Sequence, residues 1–175
     1  RVSGIWQTVW LEDVPDRHFH MVKMKPRIAE GTLRVLPTLE GKPFEAERIV
    51  ITVRDGERVV GIADAALSVR IPDAKLWSPQ SPSLYDITME LFDGEELVDC
   101  VESYAAMREV GTVRGPAGQI RMTLNGKVVF HYGTLDQGWW PDGLLTPPSD
   151  AAMRFDVDYL KKSGFNMIRK HIKVE

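Results

Sequence analysis

A single cysteine, Cys100, stands among 175 residues. The chain therefore has no intrachain disulfide and no cysteine cage for a metal, and Cys100 is expected to pack as a small buried hydrophobe. A surplus of positive charge is also missing. The 22 lysines and arginines face 25 aspartates and glutamates, a net charge of −3, which gives no long-range attraction to nucleic acid or to an anionic membrane. No stretch reaches the ~20 consecutive apolar residues that span a bilayer. No charged-then-apolar leader opens the chain, so the export signal of a periplasmic or secreted parent would lie outside it, and the compartment stays open. Between Gly111 and Gly118 the phosphate-cradling Gly-x-x-x-x-Gly-Lys spacing is absent, and no Gly-x-Ser-x-Gly elbow occurs anywhere. His18 and His20 share a strand face, but no third ligand with metal-site spacing accompanies them, so neither a metal nor another cofactor is expected.

What is present is apolar residues in alternation. They and the other apolar residues make up 43% of the chain, enough for a sizeable core. Leu33, Val35 and Leu39 form one alternating set, Ile49, Ile51 and Val53 another, Leu67, Val69 and Ile71 a third, and Tyr85, Ile87, Met89 and Leu91 a fourth. That is the period of a strand with one buried face. Asp55-Gly56 and Asp93-Gly94 sit between such runs as hairpin turns. Seven strands are predicted, over 19–27, 32–39, 47–54, 58–62, 66–71, 84–92 and 97–107. This spacing points to a mainly β fold, an immunoglobulin-like β-sandwich over residues 15–110.

The last third changes period. Ile120, Met122 and Leu124 alternate up to an Asn125-Gly126 turn, and Val128-Val129-Phe130 returns as a second strand. After a loop rich in Gly, Trp and Pro, Ser149 or Asp150 is placed to cap a helix whose Met153, Val157 and Leu160 fall on one face, with Gly164 at its stop. Residues 165–169 then read as a strand. From Val128 to Arg169 the order is strand, helix, strand, a β-α-β unit whose parallel strands would bring residues 133–137 and 169–171 to one carboxyl-terminal edge. In α/β barrels ligands bind at that edge.

Four blocks resemble glycoside hydrolase family 2, which includes β-galactosidases, β-glucuronidases and β-mannosidases. "SGIWQTVWLE" at Ser3–Glu12 is similar to the last strand of the family's jelly-roll sugar-binding domain. "LWSPQSPSLYDITMEL" at Leu76–Leu91 is similar to its sandwich segment, "LNGKVVFHYG" at Leu124–Gly133 to the hairpin entering its first barrel strand, and "GFNMIRKH" at Gly164–His171 to its second barrel strand. The resemblance implies three parts: residues 1–14 ending a jelly roll, 15–110 the sandwich, and 111–175 a linker, hairpin and first β-α-β unit of a truncated TIM barrel. It also implies a retaining hydrolase of β-linked sugars using two glutamates, the acid/base one following an asparagine. No Asn-Glu pair occurs here, so the chain is expected to be an inactive fragment whose partners are the missing domains of the same protein, with a carbohydrate substrate in the whole enzyme.

Four residues are candidates for substrate binding, Arg169 and His171 through the resemblance and Asp136 and Trp139 through their own chemistry. Arg169 matches the arginine of the family's Phe-Asn-x-x-Arg strand end, where a guanidinium donates fixed hydrogen bonds to hydroxyls or a carboxylate; the plainer reading pairs it with a neighbouring acid. His171 resembles a family histidine that many members carry one position later. Asp136 and Trp139 lie in "GTLDQGWWPDG", where better-known members carry Asn, Arg and His. The aspartate is able to accept from sugar hydroxyls and Trp139 or Trp140 to stack on a sugar face, while a loop of packed tryptophans serves equally well. Lys170 and Lys173 read as solvated charges before they read as partners of an acidic sugar. Trp77, with Pro79 and Pro82, reads as a structural turn. Trp6 and Trp10 share one strand face that would pack in the preceding domain, and exposed barrel strands would favour non-native self-association. The competing class is a stand-alone immunoglobulin-like module binding carbohydrate or protein, which has no reason to carry a β-α-β unit.

Overall fold

The computed structural model describes residues 4, 5 and 8–171. The chain divides into two compact units, Asp13–Val129, and Arg1–Glu12 together with Phe130–Glu175. Trp6 and Lys173 lie outside the described residues.

The first unit opens with seven strands: β1 (His18–Arg27), β2 (Thr32–Glu40), β3 (Glu47–Asp55), β4 (Arg58–Asp64), β5 (Ser68–Arg70), β6 (Tyr85–Asp93) and β7 (Glu96–Ala105). They form a three-stranded sheet, β1-β2-β5, and a four-stranded sheet, β4-β3-β6-β7, with antiparallel pairing throughout. Leu33, Val35 and Val69 from one sheet and Ile51, Val53, Ile87 and Met89 from the other share a single core, all at 0–1% exposure. The alternating runs thus bury one face each, as their period requires, and each such side chain contributes about 1.5–3 kcal/mol. Compared with a constant-type immunoglobulin sandwich, the fourth strand has joined the second sheet. Leu67 falls outside β5 and is exposed, so the third alternating set starts one step later than its pattern suggests.

Polar contacts lock the sandwich at its corners. The Tyr85 hydroxyl, at the start of β6, accepts from the Lys75 backbone N–H at 2.7 Å, tying the strand to the chain ten residues upstream. Arg17, 8% exposed, donates to both Glu47 carboxylate oxygens at 2.7 and 2.8 Å and to the Gly41 carbonyl at 2.9 Å. This fork holds the Glu47 carboxyl below the usual range and raises the guanidinium further. Asp99 on β7 accepts from the Phe19 backbone at 2.8 Å, linking the two sheets. Cys100 corrects the sequence expectation: it is exposed, on the outer face of β7 opposite Glu90. The strand's alternation turns Val101 inward and Cys100 outward. Partial desolvation and the carboxylates of Glu90, Glu102 and Asp99 push its thiol up, which favours the protonated form.

A small antiparallel sheet, β8 (Val110–Arg114), β9 (Ile120–Leu124) and β10 (Lys127–Val128), completes this unit. Asn125 and Gly126 close the β9–β10 turn at φ 51° and 76°, the two positive values a type I′ hairpin needs. The Asn125 amide also donates to the Trp77 carbonyl at 2.9 Å and accepts from the Glu109 backbone at 2.9 Å, and Arg108 stacks 4.6 Å from the Trp77 ring centroid. Trp77 is a structural corner. β8 falls largely in the segment that the sequence presents as linker from residue 111, since none of its five residues is buried and no one-sided pattern marks it.

In the second unit, β11 (Gly133–Asp136) and β12 (Met167–Lys170) pair in parallel, and α1 (Asp150–Lys162) lies between them in sequence. Ser149 caps α1, its Oγ accepting from the Ala152 backbone at 3.2 Å. The end is a Schellman closure, with Gly164 N–H donating to the Lys161 carbonyl and Phe165 N–H to that of Leu160, both at 3.1 Å. Strand, helix and strand follow in the expected order with one correction. The parallel partner of β12 is Gly133–Asp136, whereas Val128, placed at the start of the β-α-β unit from its apolar run, pairs antiparallel with Thr123. No closed barrel forms among the described residues.

Candidate functional site

The carboxyl-terminal ends of β11 and β12 lie side by side, with Leu135 opposite Arg169 and Asp136 opposite Lys170. Two features set this register. Gly133 has no room for a β-carbon, which would meet the Met167 carbonyl oxygen, so a side chain there would force the strands apart. The Asn166 side chain extends the pairing upstream, donating to the Phe130 carbonyl and accepting from the Tyr132 N–H, each at 2.8 Å, while its own N–H donates to the Tyr132 carbonyl at 2.9 Å. A polar residue at the head of an apolar strand was the available signal for this role, which sequence reading missed.

Alternation along the strands sends neighbouring side chains to opposite faces. Arg169 and Leu135 share one face, both exposed, and Arg169 makes no recorded hydrogen bond or ion pair among the described residues. On the other face Lys170 Nζ stands 3.0 Å from Asp136 Oδ2. Asp136 Oδ1 accepts from the Gly138 N–H at 2.7 Å, and the Asp136 carbonyl accepts from the His171 N–H at 2.8 Å. Of the four candidates, Asp136 and His171 are joined through the backbone, and Trp139 lines a cavity with Asp136. Arg169 is set apart from that cavity by the strand's own pleat. Lys170, read first as a solvated charge, is half-buried and paired.

The cavity, of about 800 Å³, lies on the α1 side of the strand pair and is lined by Asp136, Trp139, Trp140 and Lys170 with the Met153–Val157–Leu160 face of α1. The loop carrying the tryptophans is folded by paired backbone bonds between Trp140 and Leu144, at 2.8 and 3.1 Å. Trp139 is 56% exposed, whereas Trp140 Nε1 is buried and has no hydrogen-bond partner among the described residues. An unmet buried donor costs about 1–3 kcal/mol, an incentive for an incoming acceptor.

Elsewhere the chemistry is sparse. His18 and His20 face Glu40 at 3.8 and 3.4 Å, but no group of three or more His, Cys, Asp or Glu among the described residues is arranged to hold a metal. No described helix is long and apolar enough to cross a membrane. Trp10 is 68% exposed and its indole N–H donates to Glu12 at 2.7 Å.

Residues 24–108, the core of the sandwich, match the model of the glycosyl hydrolases family 2. A β-galactosidase of Halalkalibacterium halodurans is 28% identical over 183 residues, covering 97% of this chain and 17% of that protein. A putative β-glucuronidase of Formosa agariphila is 25% identical over 179 residues, 95% of this chain and 21% of its own length. The chain thus spans about a fifth of the curated relatives it matches. Among solved structures, a β-glucuronidase from Ruminococcus gnavus superposes with a TM-score of 0.77 at 16% identity, covering 90% of this chain and 26% of that one, a likeness of fold. The sandwich segment, residues 24–108, thus matches glycosyl hydrolases family 2, and nearly the whole length of the chain is similar to β-galactosidases.

Proposed function

We propose that this chain is a segment of a retaining hydrolase of β-linked sugars, in which the sandwich spaces a preceding sugar-binding domain from a catalytic barrel that residues 130–171 begin. The observation that carries the reading is the alignment of nearly the whole chain inside much longer β-galactosidases. The parallel β11–β12 pair with its intervening α1 supports it, being the repeating piece of a (β/α)8 barrel. Retaining hydrolysis needs two carboxyl groups about 5–5.5 Å apart, one protonating the leaving oxygen and one attacking the anomeric carbon. In this reading both belong to later barrel strands. The segment supplies binding alone: Arg169 and His171 at the end of the second barrel strand, Asp136 at the end of the first and Trp139 in the loop after it. The missing domains are its partners, and a glycoside its substrate once they are joined.

The test is the stereochemistry of the full-length parent. Proton NMR of an aryl β-glycoside digest should show the β-anomer of the free sugar forming first, followed by mutarotation. First appearance of the α-anomer would rule out a retaining mechanism, and no hydrolysis of any β-glycoside would rule out the glycosidase reading.

A further inference from the structure

The outer face of the β1-β2-β5 sheet is a patch of cations. Alternation turns Met24, Leu33, Val35 and Val69 toward the core, so Lys23, Lys25 and Arg27 of β1, Arg34 of β2 and Arg70 of β5 all point the other way, and all five are exposed. The register sets them in rows. Arg27 and Arg70 flank Thr32, Lys25 lies opposite Arg34 with Ser68 beyond it, and Lys23 lies opposite Leu36. With strands about 4.8 Å apart and alternate residues about 6.8 Å apart, the five cover roughly 10 by 14 Å. That is close to one Debye length at about 0.1 M salt, so their fields add. None of the five side chains makes a hydrogen bond or an ion pair among the described residues. The three strands hold a single acid, Glu40, at the far end beside His18 and His20. Glu30, which accepts from Thr32, follows β1, and Asp73 follows β5. The net charge of −3 for the whole chain hides this local excess. Like charges set directly opposite one another, as Lys25 and Arg34 are, repel, and a bound polyanion relieves that repulsion.

We propose that this face binds an acidic polysaccharide, one bearing carboxylate or sulfate groups, laid across the sheet. Arginine forks and lysine ammonium groups pair with such anions, and Thr32, Thr38 and Ser68, on the same face, exchange hydrogen bonds with sugar hydroxyls. The face has no aromatic side chain on which a nucleic-acid base would stack. It is also a flat sheet with no amphipathic helix to enter a lipid surface. The choice of a polysaccharide among polyanions rests on the glycosidase reading, in which the sandwich would hold a charged glycan chain for the parent enzyme.

The test is surface plasmon resonance of the 175-residue chain over immobilised polygalacturonate, dextran sulfate and neutral dextran. Saturable binding to at least one acidic polymer and none to dextran is expected, with affinity falling about tenfold or more between about 0.05 and 0.5 M salt. The stronger of the two acidic polymers identifies carboxylate or sulfate as the preferred group. Lys25→Gln combined with Arg34→Gln, both exposed, should weaken binding about tenfold with an unchanged circular dichroism spectrum. Lys161→Gln combined with Lys162→Gln makes the same change in net charge on α1 and should leave affinity within about twofold. No binding to either acidic polymer would overturn the inference, as would equal losses in the two double variants. Tighter binding to a DNA duplex, or to vesicles of equal parts phosphatidylcholine and phosphatidylserine, than to both acidic polymers would overturn it too. Each of these results leaves the glycosidase reading standing, since the parent's hydrolysis decides that separately.

Discussion

Arg17 and Glu47 show how a single pair shapes the behaviour of the sandwich. The guanidinium is buried and forked onto the carboxylate, so removing the acid strands a buried charge. Glu47→Ala should cost about 3 kcal/mol in urea unfolding. Because the folded-state pKa of Glu47 is depressed, its contribution is complete above the ordinary glutamate value of about 4.3 and is lost as pH falls through that value toward the folded one. The difference in stability between wild type and Glu47→Ala should therefore shrink as pH falls below the ordinary glutamate value of about 4.3; a difference that stays constant through that acid range would show that the pair is not the source. Tyr85→Phe removes one hydroxyl and leaves the ring in the core, and should cost about 1 kcal/mol by the same measurement. Neither role follows from a one-dimensional pattern. Tyr85 was legible as a core residue from its alternation with Ile87 and Met89, but its bond to Lys75, and the meeting of residues 17 and 47, depend on how the corners fold.

The strands of the sandwich were legible because one face of each is buried and the other wet, so the period-two signal is strong from Leu33 to Leu91. β8 gave no such signal, since all five of its residues are exposed. β11 is hard to place from sequence for a related reason: Val128-Val129-Phe130 is the more apolar run, yet the parallel ladder starts at Gly133, where there is no room for a side chain. Asn166 holds that ladder in register. Asn166→Ala removes two side-chain bonds, about 2 kcal/mol in all, and should speed amide exchange at Leu135 and Asp136 roughly thirtyfold while Met89 in the sandwich stays protected. Unchanged exchange at both positions would show that Gly133 and the ladder suffice. At the site, alternation along β12 separates Arg169 from Lys170, a division the residue types themselves do not announce.

At the scale of the whole molecule, the chain holds a complete sandwich core and, as a separate unit, one parallel strand pair with its helix, and the helix has no buried residue among those described. The sandwich has the apolar core of an independent domain, whereas α1 and the β11–β12 pair have faces that a larger sheet would cover. Under the proposed function this segment supplies binding residues, and the two carboxyl groups that a retaining hydrolase needs belong to other parts of the protein. The most direct test is turnover by the purified chain itself, from a host without endogenous glycosidase, on p-nitrophenyl β-galactoside and β-glucuronide. Release at the uncatalysed rate is the predicted result; saturable release of p-nitrophenol that co-purifies with the chain would contradict it.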